Sequence, residues 1–301
     1  MNTPGRNITI FAGQELSDSV RSRRVIVMVL LYVLGAMGGT ALFISFLQSI
    51  EGQLVQSLSL AMPTHAGSVT ATLWKSEPFR KILSRLIGDR ELAATLLAVP
   101  PLALYYGWLS LSFGPVLVML TASMRIAEER ASGSVRFILF RGARSHWCVG
   151  KFIGQAVQIF GALLLSAAGA WLIGWLRMHS FEPLATAKFM LLFALKAWLY
   201  LLPFLGLALG VSQLCKTPNL ALVFGVLALV VVSVLSRLAA WLAGDGWRRA
   251  WDFVLLLTPG GHRLNLWWND AAHLLPASAF LLALALLYLL AGYAWFARRD
   301  L

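Results

Sequence analysis

Apolar residues along this chain gather into six long runs, at 25–47, 102–124, 152–176, 189–212, 219–242 and 274–296. Each approaches or exceeds the roughly 20 residues that carry a helix across a hydrocarbon core. None alternates apolar and polar residues with period two, so a transmembrane β-barrel is excluded. The pattern predicts an all-α polytopic membrane protein with six transmembrane helices. The first run is about 23 residues long and no small-x-small cleavage site closes it, so it is expected to be retained.

The polar stretches between the runs have patterns of their own. In residues 1–24, Ile8, Phe11, Ala12, Leu16 and Val20 recur at helical spacing, while Glu15, Asp18 and the arginines take the other faces. This predicts an amphipathic helix lying in the membrane interface, with a solvated basic tail as the alternative. The six-span domain then occupies 25–301. Its largest extramembrane segment, 48–101, contains Ser76-Glu77-Pro78, then Ile82, Leu83, Leu86 and Ile87, then Gly88. That is a helix with a start signal, one apolar face and a glycine stop. Pro100-Pro101 marks the entry to the second span, since proline lacks the N–H that a continuing helix would use. The segment 243–273 holds Trp247, Trp251 and an apolar piece too short to span, ended by Pro259 and Gly260. A re-entrant or interfacial helix is expected there.

Composition agrees with the pattern. The 301 residues are 59% hydrophobic and 13% charged, about half the charge of an average soluble domain. A formal charge of +12 would suggest nucleic acid in a soluble protein, but so apolar a chain cannot build the charge-rich faces that this needs. The charge instead sorts by side. The N-terminus, the 125–151 loop, the 213–218 loop and the C-terminus hold 13 Lys/Arg and 5 Asp/Glu; the opposite side holds 10 and 8 over a longer stretch. The positive-inside rule places the first set, and both termini, in the cytoplasm. Trp171, Trp175, Trp241, Trp247, Trp251, Trp267 and Trp268 gather at the opposite boundary, as an interfacial belt should. Cys148 and Cys215 fall on the cytoplasmic side and are expected to be reduced and unpaired.

Catalytic signatures do not occur. The chain has no GxxxxGK[ST], HExxH, CxxC or GxSxG. Its five histidines have no partner at metal-ligand spacing on one helix. No enzyme activity, cofactor or metal site is expected. All 13 acids lie outside the six runs, whereas ion-coupled carriers usually place Asp or Glu within the bilayer. This disfavours a secondary carrier or channel, the alternative function.

The most informative segment runs from Arg125 to Lys151. It begins as a charged continuation of the second span and breaks at Ser132-Gly133-Ser134, where Ser134 is placed to cap a short following helix. Phe137, Ile138 and Phe140 then give that helix an apolar face amid arginines, which asks for a partner in the cytosol.

This segment resembles the loop after the second span in membrane subunits of ABC-2 type transporters. The family runs acid-acid-x-x-Gly-small, then a short helix, then arginine and Gly-Lys entering the third span. Here stand Glu128-Glu129, Ser132-Gly133-Ser134, Phe137-Ile138-Leu139, Arg144 and Gly150-Lys151; Gly142-Ala143 replaces the proline often found before the arginine. Gln14-Glu15-Leu16 through Arg24 and the ending Phe296-Ala-Arg-Arg-Asp-Leu301 are also similar, so the resemblance extends over the whole chain. The sizeable first external loop looks more like the branch with nitrous-oxide-reductase maturation and sodium-export permeases. The resemblance implies a permease subunit of a bacterial-type inner-membrane exporter, paired with a second permease subunit as a homodimer. A separately encoded ABC ATPase, which binds ATP and Mg, would drive it. The 125–151 loop would be the coupling helix, with Phe137, Ile138, Phe140 and Arg141 toward the ATPase. Glu128 and Glu129 would position it, and Gly133, Ser134 and Arg144 complete the coupling residues.

Two further sets of residues stand out within the spans. Gly35-x-x-x-Gly39 and Gly206-x-x-x-Gly210 allow close helix approach, as do Ala162, Ser166 and Ala170. These faces are expected to join helices within one subunit, while the family resemblance puts the dimer contact on spans one and five. Lys196 and Arg237 are the ionisable residues deep in spans, each five to eight residues from the outer end. Such side chains either snorkel to lipid headgroups or line a site for an anionic lipid or amphiphile.

Overall fold

A computed structural model describes residues 4–58, 90–135, 143–178, 181–242 and 248–298. All regular elements among these residues are helical, and six of the helices are long and apolar enough to cross a membrane. We number the helices α1 (Pro4–Arg21), α2 (Arg23–Leu58), α3 (Arg90–Leu97), α4 (Pro101–Ala122), α5 (Arg125–Ala131), α6 (Arg144–Arg177), α7 (Pro183–Leu214), α8 (Pro218–Leu242), α9 (Arg248–Leu256) and α10 (Ala271–Ala297). Two 3-10 turns, Pro259–His262 and Leu264–Trp267, lie between α9 and α10. The 76–88 helix expected from sequence falls outside the described residues.

Proline opens α4, α7 and α8, where its missing N–H would have had no partner anyway and its fixed φ suits the helix. Several helices outrun their apolar cores. The third starts at Arg144 rather than near 152, and the first continues to Leu58. At Arg144 the extra turns are stabilised by burial. Trp147, Cys148, Gly150 and Lys151 are all buried by neighbouring elements, so the polar approach to the span is packed helix rather than loop.

The bundle centres on α4 and α7. Of their most apolar windows 72% and 67% is buried, against 17% for α2 and 11% for α8. The last two therefore present rows of Leu, Val and Phe outward: Leu30, Leu31 and Leu34 on α2, Val223, Leu227 and Val230 on α8. In lipid, apolar burial does not drive helices together; close packing and hydrogen bonds do. Gly206 and Gly210 on α7 lie against α10. A Cβ at Gly206 would run into the Ala285 carbonyl, one at Gly210 would stand 2.7 Å from the Tyr288 carbonyl oxygen, and one at Gly292 would stand 2.5 Å from the Gly210 Cα. The two backbones touch. Gly39 on α2 faces Tyr105 and Leu109 of α4, whereas nothing lies within 4 Å of a Cβ at Gly35. Between other pairs, Tyr106 Oη donates to the Leu163 carbonyl at 2.7 Å and Trp198 Nε1 to the Ala156 carbonyl at 2.8 Å.

Candidate functional site

At the end of the bundle that carries α1, the helices α1, α6, α7 and α10 meet around α5. The spacing of α5 from α4 is set by a break at Ser123-Met124, after which the chain restarts as a separate short helix. A helix start leaves N–H groups unpaired. Here Ser212 of α7 serves two of them, accepting from the Ile126 and Ala127 amides at 3.1 and 3.0 Å. In the reverse direction, Arg130 Nη1 donates to the Gln213 and Cys215 carbonyls at 2.8 and 3.0 Å. Its guanidinium thereby meets the C-terminal carbonyls of α7, where the helix dipole favours a cation. So α5 and the end of α7 cap one another.

The C-terminal end of α5 is closed by Gly133, whose φ of 73° suits the left-handed position after a helix. Ser132 and Ser134 turn back onto it, each hydroxyl donating to the Glu129 carbonyl at 3.1 Å. Ser134 is thus engaged with the preceding helix; the stretch it was expected to cap lies outside the described residues. Phe137, Ile138, Phe140 and Arg141 lie there too.

A buried ionic cluster ties α5 to α1 and α6. Lys151 on α6 is ion-paired to Glu129 of α5 at 2.5 Å and to Glu15 of α1. Gln155 Nε2 donates to the other Glu15 oxygen at 2.6 Å, and Arg125 stands 3.8 Å from it. Arg125 also donates to Ser19 at 3.2 Å. Glu15 and Lys151 are 3% and 4% exposed. Burial would raise the Glu15 carboxyl, but Lys151 and Arg125 beside it, with the Lys151 and Gln155 hydrogen bonds, hold it below the usual carboxylate range. Two acids and two bases balance within the cluster. Outside it, Arg24 pairs with Glu128 at 3.1 Å, both well exposed.

This cluster gives α1 a buried side that the sequence did not reveal. Glu15 was placed on the polar face, away from the apolar stripe, yet Glu15 and Ser19 are buried while Leu16 and Val20 are exposed. The reason is the partner. Gly150 and Gly154 form a shallow track on α6 in which a Cβ would meet Phe11 Cβ at 2.5 Å or Glu15 Cβ at 2.8 Å. The helix beds on that track with Phe11, Ala12 and Glu15, and its remaining apolar residues, Ile10, Leu16 and Val20, are left for the surroundings. The Gly150-x-x-x-Gly154 spacing was visible in the sequence, next to the Lys151 that pairs with α1.

The C-terminal helix joins the same assembly. Phe296 is fully buried, with the Arg130 and Arg144 guanidiniums 5.7 and 5.9 Å from its ring centre and Trp147 at 5.9 Å. Arg144 also donates to the Ala297 carbonyl at 3.2 Å. Cys148 and Cys215 are both free thiols, and Cys148 accepts from Gln213 Nε2 at 3.0 Å. A movement of α5 therefore reaches α1, α6 and α7 through hydrogen bonds and ion pairs, and α10 through the Arg130 guanidinium over Phe296. A family model described as ABC-2 family transporter protein matches residues 9–301.

The chain belongs to the ABC-2 transporter family. No curated protein matches it. As an ABC-2 family protein with six apolar spans it is a multi-pass membrane protein with a permease role, and the family implies an ABC ATPase partner.

At the opposite end of this ABC-2 permease lie the two cations expected deep in spans, and they part ways. Lys196 is 2% exposed and donates to the Trp268 carbonyl at 2.9 Å and Asn269 Oδ1 at 2.7 Å, with its ammonium 5.1 Å from the Phe193 ring centre. It points at the turn before α10 rather than snorkelling out to headgroups. Arg237 is exposed and lines a cavity.

Proposed function

We propose that this chain is the transmembrane permease subunit of an ABC-2 type exporter, driven by a separate ATPase that docks on the 125–151 loop from the cytoplasm. The observation that carries the reading is the anchoring of α5 on four other helices. An ATPase can reset the spans only through contacts that differ between its open and closed states, and those contacts must reach a rigid element. The hydrogen bonds of Ser212 and Arg130 and the Glu129–Lys151–Glu15 pairs make α5 such an element. Phe137, Ile138, Phe140 and Arg141 supply the docking face; Glu128, Glu129, Gly133, Ser134 and Arg144 hold the loop in place. ATP and Mg bind the partner, and this chain performs no hydrolysis.

The outward Leu, Val and Phe rows of α2 and α8 support pairing of two copies through spans one and five, with the remainder facing bilayer lipid. The basic excess at the α1 end supports a cytoplasmic position for both termini, in a bacterial-type inner membrane. The test is copurification of the ATPase with the Phe137→Asp/Phe140→Asp chain. Loss of the ATPase with the permease still folded is expected; undiminished copurification would overturn the docking assignment.

A further inference from the structure

A cavity of about 430 Å³ opens at the α9 end, where α4, α7 and α8 diverge and the segment after α9 folds back between them. Its volume lies in the range of small-molecule sites, about 300–1,000 Å³. The returning segment reaches it because of one glycine. A Cβ at Gly260 would stand 2.6 Å from Ser236 Oγ, so the Pro259-Gly260 turn can lie directly on α8. One wall is apolar, with Pro115, Phe204 and Leu229; Val116 and Leu264, both well exposed, also line the space. The polar contribution comes from Arg237, Arg263, Ser112, Ser233 and Tyr200.

The charge of this lining is one-sided. Among the described residues it contains two guanidiniums and no carboxylate, and neither arginine has an ion-pair partner. Arg263 Nη2 donates to Ser112 Oγ at 2.7 Å. Since a guanidinium carries five N–H donors, that bond orients the group while leaving donors for a ligand. Arg237 lies five residues before the end of α8, about 8 Å along the helix axis. Cations at such depth are costly unless they snorkel out or are answered by carbonyls, water or an anion, and a cavity beside them gives room for an anion. Guanidiniums match the planar or forked oxygens of phosphate and carboxylate groups.

We propose that this cavity is a binding site for an anionic amphiphile, whose headgroup is held by Arg237 and Arg263 and whose chain lies along the Pro115–Phe204–Leu229 wall. The site belongs to the chain alone and does not depend on ATPase docking. The probe is radiolabelled decyl phosphate bound to the full-length chain in dodecyl maltoside. Saturable binding is expected, weakened at least tenfold in Arg237→Gln/Arg263→Gln and unaffected in Arg21→Gln/Arg23→Gln at the other end. Ser233→Trp, which fills the cavity and keeps both arginines, should weaken it similarly and carries the test if the double variant does not fold. Competition by phosphatidylglycerol as well as unlabelled decyl phosphate would make bilayer lipid the source; competition by decyl phosphate alone would make it a free single-chain amphiphile. Wild-type affinity in either folded cavity variant, absence of saturable binding, or equal competition by inorganic phosphate would overturn the proposal.

Discussion

The two ends of the bundle treat their cations in opposite ways. At the α1 end, Lys151 and Arg125 stand among Glu15 and Glu129, and Arg130 spans the carbonyls that finish α7. At the α9 end, among the described residues, Lys196 is answered by neutral oxygens, and Arg237 and Arg263 face a cavity whose lining holds no carboxylate. A closed, balanced network makes a firm joint between helices. Cations without acidic partners leave capacity for a visitor. The difference suggests a division of labour, force entering at one end and ligand recognition at the other.

This comparison can be broken by substitution. The largest effect is expected from Lys151→Met, which leaves the buried Glu15 and the half-buried Glu129 without their shared cation and should cost about 3–5 kcal/mol. It would be read as a lowered Tm or loss of folded protein, with Lys151→Arg milder. At the other end, Lys196→Met removes a donor from two neutral acceptors and leaves no stranded charge, so about 1–3 kcal/mol is expected. Faster proteolysis near Trp268 and Asn269 would locate that loss. If Lys196→Met proved as damaging as Lys151→Met, the contrast between the ends would fail.

Acid should loosen the α1 end selectively. Glu15 in the folded chain holds its proton less readily than at its ordinary value of 4.5, so its contribution is complete above that pH and is lost as pH falls through the lower folded value. Protease cleavage between α1 and α2 should therefore rise as pH falls below about 4.5. Glu15→Gln, which has no such proton to gain, should show a shallower rise. The smallest effect belongs to Arg24→Ala. Its pair with Glu128 is exposed at both partners, and pairs of that kind contribute about 0–1 kcal/mol.

Some of this architecture could be read without coordinates. Runs of about 20 apolar residues are unambiguous because the bilayer demands them, and Pro100-Pro101 marked the entry to the second span because its chemistry is local. The buried side of α1 was missed for an equally physical reason. Moment reasoning assumes that a polar residue seeks water, whereas Glu15 finds Lys151, Gln155 and Arg125, the first of them 136 residues away. Likewise Lys196 and Arg237 looked equivalent by depth and differ by neighbours. Arg263 drew no attention, being one loop arginine among others until the chain folded it onto Ser112.

Spans and family thus followed from order and composition, since each reflects a requirement met within one segment. Which helices form the core, which cation is satisfied and where a cavity opens depend on groups far apart in sequence. Those matters are decided by distance in space, because hydrogen bonds and ion pairs act over a few ångströms and do not register separation along the chain.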